Sequence, residues 1–522
     1  MIREISRRKC LRLWLCKPEY MGRTKWENRF VLLRFRKKNY MMFLKDLKRF
    51  KMERLYDKLK AYSESDFYAF HMPGHKRNKA LLGIELPYDL DITEIDGFDD
   101  LHHADGILKE EQERAARVFG AEESHFLVNG STAGNLSAVM GCTHRGDKIL
   151  VARHCHKSIY HAIYMNGLVP RYVYPEFDIS MHMNGEISKE DVAKALAAEP
   201  DIKAVVIVSP NYDGVVSDVK GIAEVAHSYR IPLIVDEAHG PHFGFHPAFP
   251  GRANDLGADV VINSLHKTLP SLTQTAILHI NGKLANRRRI KKYLDMLQSS
   301  SPSYIFMASL DACVDFLDGK CEEAFELYVE RLQKFREELK PLQHLQILRT
   351  EHYDISKVVI STANANITSP ELADRLRKEY HLEMEMTGGT YVLAMTTVAD
   401  TQEGLDRLKS ALLEIDDQLE AKTAVSGSIE ISGELPRLEQ YFTPQEAAER
   451  EEDGEAEEIP WKESEGHISL EYAYLYPPGS PVIVPGERIS REAVELLCYY
   501  ETQNLQIEGI QTEGKIKVWK HE

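Results

Sequence analysis

The feature that most restricts this chain is an alternation, from about residue 120 to 280, of short β-branched runs with segments whose apolar residues recur at helical spacing. The strand-like runs include Lys148–Ala152, Ala204–Val208, Leu233–Val235 and Val260–Ile262, and the helical patterns include Lys189–Ala198 and Val219–Tyr229. Apolar strands separated by helices of this length predict a mostly parallel sheet covered on both faces. Ligands of such sheets bind beyond the carboxyl ends of the strands, so the residues just past each run are where chemistry is expected.

The remainder is organised around that block. Residues 315–345 read as one long charged helix, and 355–420 as a smaller α/β domain with strands at Lys357–Ile360 and Tyr391–Met395. The acid-rich run over 445–467 reads as a solvated linker or exposed helix. A Pro/Gly-punctuated segment, YLYPPGSPVIVPGERIS, comes after it. Neither a short-period repeat nor a heptad array is evident.

Charge narrows the partners. The 522 residues carry 65 Lys+Arg against 81 Asp+Glu, a net −16, yet the first 50 alone hold 16 basic and 4 acidic residues, leaving −28 on the other 472. An acidic body disfavours nucleic acid or an anionic membrane as partner and suits small cations. The basic stretch has short apolar runs broken by Arg12, Arg34 and Arg36 and no cleavage site after a sustained apolar core, unlike a secretory signal. It reads as a basic arm, a targeting peptide, or translated sequence ahead of a start near Met52, where MERLYDKLKAY begins an amphipathic pattern. No run approaches the roughly 20 apolar residues of a spanning helix. Seven scattered cysteines without a CxxC pair form neither a disulfide framework nor a zinc motif, which points to a reducing cytoplasm.

Four segments at strand ends carry chemistry. Ser264-Leu265-His266-Lys267 comes directly after the run ADVVIN; alone it is a weak signal, equally a solvated lysine past a strand. Upstream, IPLIVDEAHG sets Asp236 at the end of a buried run, where a carboxylate is costly unless it meets a cation or strong donor, although an N-cap or loop carboxylate is the plainer alternative. Phe126–Asn135, FLVNGSTAGN, reads as strand, tight turn and helix start; the free N–H groups and dipole, with the Ser131 and Thr132 hydroxyls, suit a phosphate. It is neither a Walker A loop nor GxGxxG, and taken singly could be a capped helix. Arg153–Ser158, RHCHKS, could stack an aromatic ring and hold an anion; zinc competes, but lacks further ligands at suitable spacing, and no metal is expected.

In order and spacing these segments resemble fold-type I pyridoxal-phosphate enzymes, and more closely the Orn/Lys/Arg (basic amino acid) decarboxylase family in its short bacterial form. The resemblance spans roughly residues 52–500. It also rests on FHMPGHKRN (70–78), DITEIDGFDDLHHADGILKEEQERAARVFGA (91–121), VDEAHGPHFGF (235–245), NSLHKTLPSLTQTA (263–276), SSSPSYIFMASLD (299–311) and PPGSPVIVPGE (477–487). It implies an α/β aspartate-aminotransferase-like large domain with a mostly parallel sheet, a smaller α/β domain and a C-terminal domain. The expected division is a basic extension over 1–51, outside the catalytic fold, an N-terminal segment over 52–100, a large cofactor domain over 101–310, a small domain over 311–430, and the acidic linker with the C-terminal domain over 431–522.

The resemblance further implies roles. Lys267 would carry pyridoxal 5'-phosphate as a Schiff base, and Asp236 would keep its ring nitrogen protonated. His156 would stack on one ring face and Ala238 would pack the other, with His239 beside the cofactor. Ser131, Thr132, Ser264 and His266 would bind the phosphate, and the hydroxyl of Ser299 would reach it from a neighbouring subunit of a homodimer or higher oligomer. Glu487 would receive the substrate's distal cation, and His266 or Lys267 would protonate Cα. The expected reaction is decarboxylation of arginine to agmatine, then of lysine to cadaverine or ornithine to putrescine, in polyamine metabolism. An additional N-terminal wing domain, present in the large acid-inducible members, has no counterpart in the roughly 50 basic residues here, so their decamer is not carried over. Two other readings stand beside it. One is an aminotransferase that would use Arg375 or Arg377 for the substrate carboxylate; the other is a non-catalytic regulator, which would be expected to have lost Lys267 or Asp236.

Overall fold

The computed structural model describes residues 54–522 apart from 81–82, 179–182, 349–351, 422–433, 476–478, 503–504, 506 and 521–522. The basic extension over 1–51 and the start near Met52 lie outside the described residues.

Seven strands form the main sheet: β1 (Glu123–Leu127), β2 (Lys148–Ala152), β3 (Val169–Val173), β4 (Val205–Val208), β5 (Leu233–Asp236), β6 (Val260–Asn263) and β7 (Ala276–Ile280). Their order is β1-β7-β6-β5-β4-β2-β3. Pairs from β3 through β6 are parallel, whereas β7 is antiparallel to both β6 and β1. Because β7 is reversed relative to both neighbours, β1 points the same way as the parallel strands. The carboxyl ends of β1, β2, β5 and β6 therefore open onto one edge, and each leads into one of the four sequence segments.

Local chemistry sets these elements. All residues of β4, β5 and β6 are buried, as expected for strands with helices on both faces. The helices Lys189–Ala198 and Val219–Ser228 begin where Ser188 and Asp218 side chains accept from the Asp191 and Gly221 backbone N–H groups, a cap worth about 1 kcal/mol. The helix α1 (Gly130–Cys142) lies so close to the sheet that a Cβ on Gly134 would stand 2.8 Å from the Leu127 side chain and 3.0 Å from that of Ile262.

Two expectations change, and the pairing within the smaller domain is added. The single helix over 315–345 is two, Tyr304–Leu317 and Glu322–Glu338, separated at Gly319, whose φ of 76° ends the first. The strands of the smaller domain, β8 (Gln346–Ile347), β9 (Lys357–Ser361), β10 (Met386–Thr387) and β11 (Tyr391–Met395), pair only antiparallel, in the order β8-β9-β11-β10. Of the two readings of the acid-rich run over 445–467, the exposed helix is found in its first part and the linker is not. The run holds the helix Pro444–Glu452, started by a Thr443/Glu446 capping box, and the strand Ala456–Pro460, paired with Lys515–Trp519. Its carboxylates face solvent while Ala447 and Trp461 are buried, so two apolar anchors suffice to dock a charged segment. Among the described residues no helix is long and apolar enough to cross a membrane.

Candidate active site

At the shared strand edge lies a cavity of about 600 Å³ lined by residues from all four segments: Ser131, Thr132, His156, Asp236, Ala238, His239, His266 and Lys267. The smaller domain adds Glu385 and Met395, and Tyr212 and Gln274 close the wall. A second cleft of about 630 Å³, between Glu176–Glu190 and Phe249–Leu256, contains none of the predicted residues.

Asp236 terminates β5 and is 3% exposed. Asn135 Nδ2 donates to its Oδ2 at 2.7 Å, and the Ala238 amide donates to Oδ1 at 3.1 Å. Asn135 also donates to Ser158 Oγ at 3.0 Å, and that hydroxyl lies 2.9 Å from His156 Nδ1. Since the Ser158 amide donates to the same Nδ1, at 3.2 Å, neutral His156 must carry its proton on Nε2. Burial pushes the His156 imidazolium down to about 4 against the pull of Asp236, so the ring is neutral at physiological pH. Asn135 and Ser158 were not singled out in the sequence. The available signal was an Asn one turn into an otherwise apolar helix face, where a side chain with two donors must find acceptors.

Lys267 sits on the short helix Leu265–Thr268 just past β6, its Nζ 2.9 Å from His239 Nε2. Burial holds its amine below the ordinary lysine range, against Asp236 and Glu385. His266 donates Nδ1–H to the Thr275 carbonyl at 2.9 Å, and burial keeps it below its usual pKa, leaving Nε2 as a lone pair. The Ser264 hydroxyl is buried and has no partner among the described residues. The helix N-terminus that brings Ser131 and Thr132 to the cavity suits an anionic ligand group. A buried carboxylate, a buried amine and a helix N-terminus in one cavity wall are the donor set suited to a ligand with a basic nitrogen, a carbonyl and an anionic group.

Three predicted residues are not in this chain's cavity wall: Ser264, buried just past β6, and two that lie elsewhere. Ser299 is exposed; its hydroxyl donates to the Ser301 carbonyl at 3.2 Å, its amide donates to Asn129 Oδ1 at 3.1 Å, and it is not part of this chain's cavity wall. Glu487 is a correction. It is completely buried, and its two oxygens accept from Arg153 Nη1 and Nη2, each at 2.8 Å. The Val484 amide also donates to Glu487 at 2.8 Å, and Arg153 donates further to the Val482 carbonyl. Burial opposes ionisation at both ends, but the bidentate contacts are those of an ionised pair. A carboxylate so committed cannot receive a substrate cation, because doing so would leave Arg153 buried and unpaired. Arg375 and Arg377 lie on the helix Ser369–Tyr380 and pair with Glu379 and Asp374 on its surface, outside the cavity.

Burial of neutral imidazoles has a consequence for stability. Burial pushes His154 and His156 down to about 4 and His279 to about 3. Below about 6.5 the unfolded chain takes up protons that these rings refuse, so stability falls as pH drops from 6.5 towards the folded values. Each ring costs roughly 2 kcal/mol at pH 5. Carboxyls that burial pushes up, Glu111 and Glu237 to about 8 and Asp213 to about 6, act in the opposite sense, so one ring is read as a difference. Relative to wild type, His279→Gln should gain melting midpoint at pH 5 over pH 7, and an identical pH dependence in the two proteins would show that this ring accepts a proton in place.

The Orn/Lys/Arg decarboxylase major-domain model matches residues 53–409, and the C-terminal-domain model of the same family matches 433–514. Arginine decarboxylase of Bacillus subtilis is 33% identical over 471 residues, covering 87% of this chain and 95% of that protein. Lysine decarboxylase LdcA of Pseudomonas aeruginosa is 25% identical, covering 83% of this chain and 73% of that protein. Among solved structures, lysine decarboxylase LdcF of Francisella novicida superposes with a TM-score of 0.77 at 20% identity, over 90% of this chain and 81% of that one, a likeness of fold.

Proposed function

The chain belongs to the Orn/Lys/Arg decarboxylase family, and from that premise we propose that it converts arginine to agmatine with pyridoxal phosphate as cofactor, in a cytoplasmic route to polyamines. The observation that carries this reading is the union, in one cavity, of the Lys267 amine, the buried Asp236 carboxylate and the Ser131/Thr132 helix start. Arginine ranks before lysine because the arginine decarboxylase of Bacillus subtilis is more similar, over more of its length, than the lysine decarboxylase of Pseudomonas aeruginosa. The described cysteines, all unpaired thiols, support a reducing compartment.

Pyridoxal phosphate, when bound, supplies the electron sink for the carbanion left by CO₂. The chain's own residues do the rest. Ser131, Thr132, Ser264 and His266 would hold the phosphate. Asp236, fixed by Asn135 and the Ala238 amide, would keep a proton on the ring nitrogen. His156, fixed by Ser158, and Ala238 would pack against the ring and exclude water. Lys267 rather than His266 hands Cα its proton, since His266 spends its N–H on Thr275 and burial disfavours a second.

With Glu487 withdrawn, Glu385 is the carboxylate of the cavity wall besides Asp236, and it receives the substrate's guanidinium while accepting from the Tyr212 hydroxyl. A homodimer supplies Ser299 to the partner's phosphate site, a reading supported by the exposure of Ser299 and of an apolar patch, Phe67, Tyr68 and Phe70 at 68%, 72% and 89%.

The test is a substrate panel of arginine, lysine and ornithine with the amine product identified. Arginine should release CO₂ and agmatine at the highest kcat/KM, Glu385→Gln should raise KM for it roughly tenfold or more, and sedimentation should give twice the chain mass. Keto acid without CO₂ would instead establish transamination.

A further inference from the structure

Behind Lys267 the cavity wall holds a second buried amine. Lys357, the first residue of β9 in the smaller domain, is completely buried, with its Nζ 3.0 Å from His239 Nδ1. His239 Nε2 is 2.9 Å from Lys267 Nζ. One imidazole thus bridges two lysines, one from each domain, and its ring lies against Tyr212 at 4.5 Å between centroids.

The hydrogen-bond count restricts this line. A neutral imidazole has one donor and one acceptor, so it can accept from one ammonium only and must donate to the other nitrogen, which then has to be a free amine. An imidazolium would need both lysines uncharged. No fully bonded arrangement places more than one positive charge on the three groups. The surroundings decide where that charge rests. On the Lys357 side stand the buried carboxylates Asp354, which is bonded to His242 and Ser356, and Asp213, which accepts from the Tyr391 hydroxyl. On the Lys267 side stand Asp236, already engaged by Asn135 and the Ala238 amide, and the exposed Glu385, which faces both lysines. His156 and His266 face the bridging ring and disfavour charge on it.

We propose that Lys357 is a positioning residue for Lys267: through His239 it holds the one proton that the three groups share, so that Lys267 stands as a free amine. Relocation of the charge breaks the N–H bonds at Lys357 Nζ and His239 Nε2 and forms those at His239 Nδ1 and Lys267 Nζ; nothing else is consumed. Burial and the facing charge of Lys267 pull Lys357 down to about 8, against Asp354, so the two amines compete for a single charge that is exchangeable near neutral pH. The proposal rests on the reading of Lys267 as the reacting lysine, because a free amine is what a carbonyl-binding lysine requires.

The experiment is competitive labelling of the full-length chain, freed of aldehyde cofactor, with acetic anhydride over a pH range, each lysine quantified by mass spectrometry. Lys357→Met removes the reservoir, so Lys267 keeps the proton: its half-labelling point should rise by about one pH unit or more, and its labelling at pH 7.5 should slow about tenfold. Lys357→Arg supplies a permanent charge and should keep the half-point at or below that of the wild type. A Lys357→Met profile that superimposes on wild type overturns the proposal. So does a half-point in Lys357→Arg that climbs by a unit, which also decides the matter if Lys357→Met fails to melt cooperatively. If labelling is indifferent to Lys357 while Lys267→Ala still abolishes CO₂ release, this inference fails and the decarboxylase reading stands.

Discussion

Replacement of Lys267 by alanine is expected to reduce arginine decarboxylation by roughly four orders of magnitude or more, since a covalent lysine and a proton donor are lost together. No neighbouring amine can take over. Lys357 approaches this part of the cavity only through the His239 ring, and burial disfavours its charge as it does that of Lys267. The visible absorbance gained on adding pyridoxal phosphate to the wild-type protein should be absent or strongly shifted in Lys267→Ala. The fold should survive, because the substitution removes a buried amine rather than stranding one. The informative control is the melting midpoint, expected within a few degrees of wild type. A variant that retains even a hundredth of wild-type turnover would move the covalent role to another residue.

Glu487→Ala should instead strike stability. Removing one partner of a buried, bidentate ion pair leaves Arg153 charged in a site with 0% exposure, a change that costs about 3–5 kcal/mol. Arg153 stays near Tyr172, 4.7 Å from the ring centroid, and keeps the Val482 carbonyl, but neither neutralises it. Since Arg153 lies directly after β2 and Glu487 belongs to the C-terminal segment, denaturant melting should show that segment loosened from the main sheet first. The double variant Arg153→Met/Glu487→Leu should recover most of the loss, because it removes both charges and fills the space. KM for arginine, measured below the melting transition, should change little. A large rise in KM with unchanged stability would restore Glu487 to substrate recognition and displace Glu385 from it.

The two glutamates mark where reading the sequence stops. From the sequence only Glu487, in the VPGE motif, is assigned to the substrate's distal cation, and Glu385 stands in no motif; it enters through the cavity wall. The difference between them is that Arg153, 334 residues away along the chain, reaches Glu487 in the fold and not Glu385. The same holds for Lys357, which reads as an ordinary lysine opening a strand. Only the docking of the smaller domain brings it to His239.

The sequence by itself determined the strand ends, because a buried parallel strand requires an unbroken β-branched run and the chemistry of such sheets is confined to the residues just beyond it. That rule places the segments holding Asp236, Ser264–Lys267, Ser131–Thr132 and His156, each within a few residues of its strand, and the family resemblance singles those residues out within them. The tertiary structure alone decided which polar groups are already satisfied. Burial and pairing depend on partners distant in sequence, and a side chain's charge, availability and proton are set by its surroundings in space. Asn135 with Asp236, Arg153 with Glu487, and His239 between two lysines are all pairings of that kind.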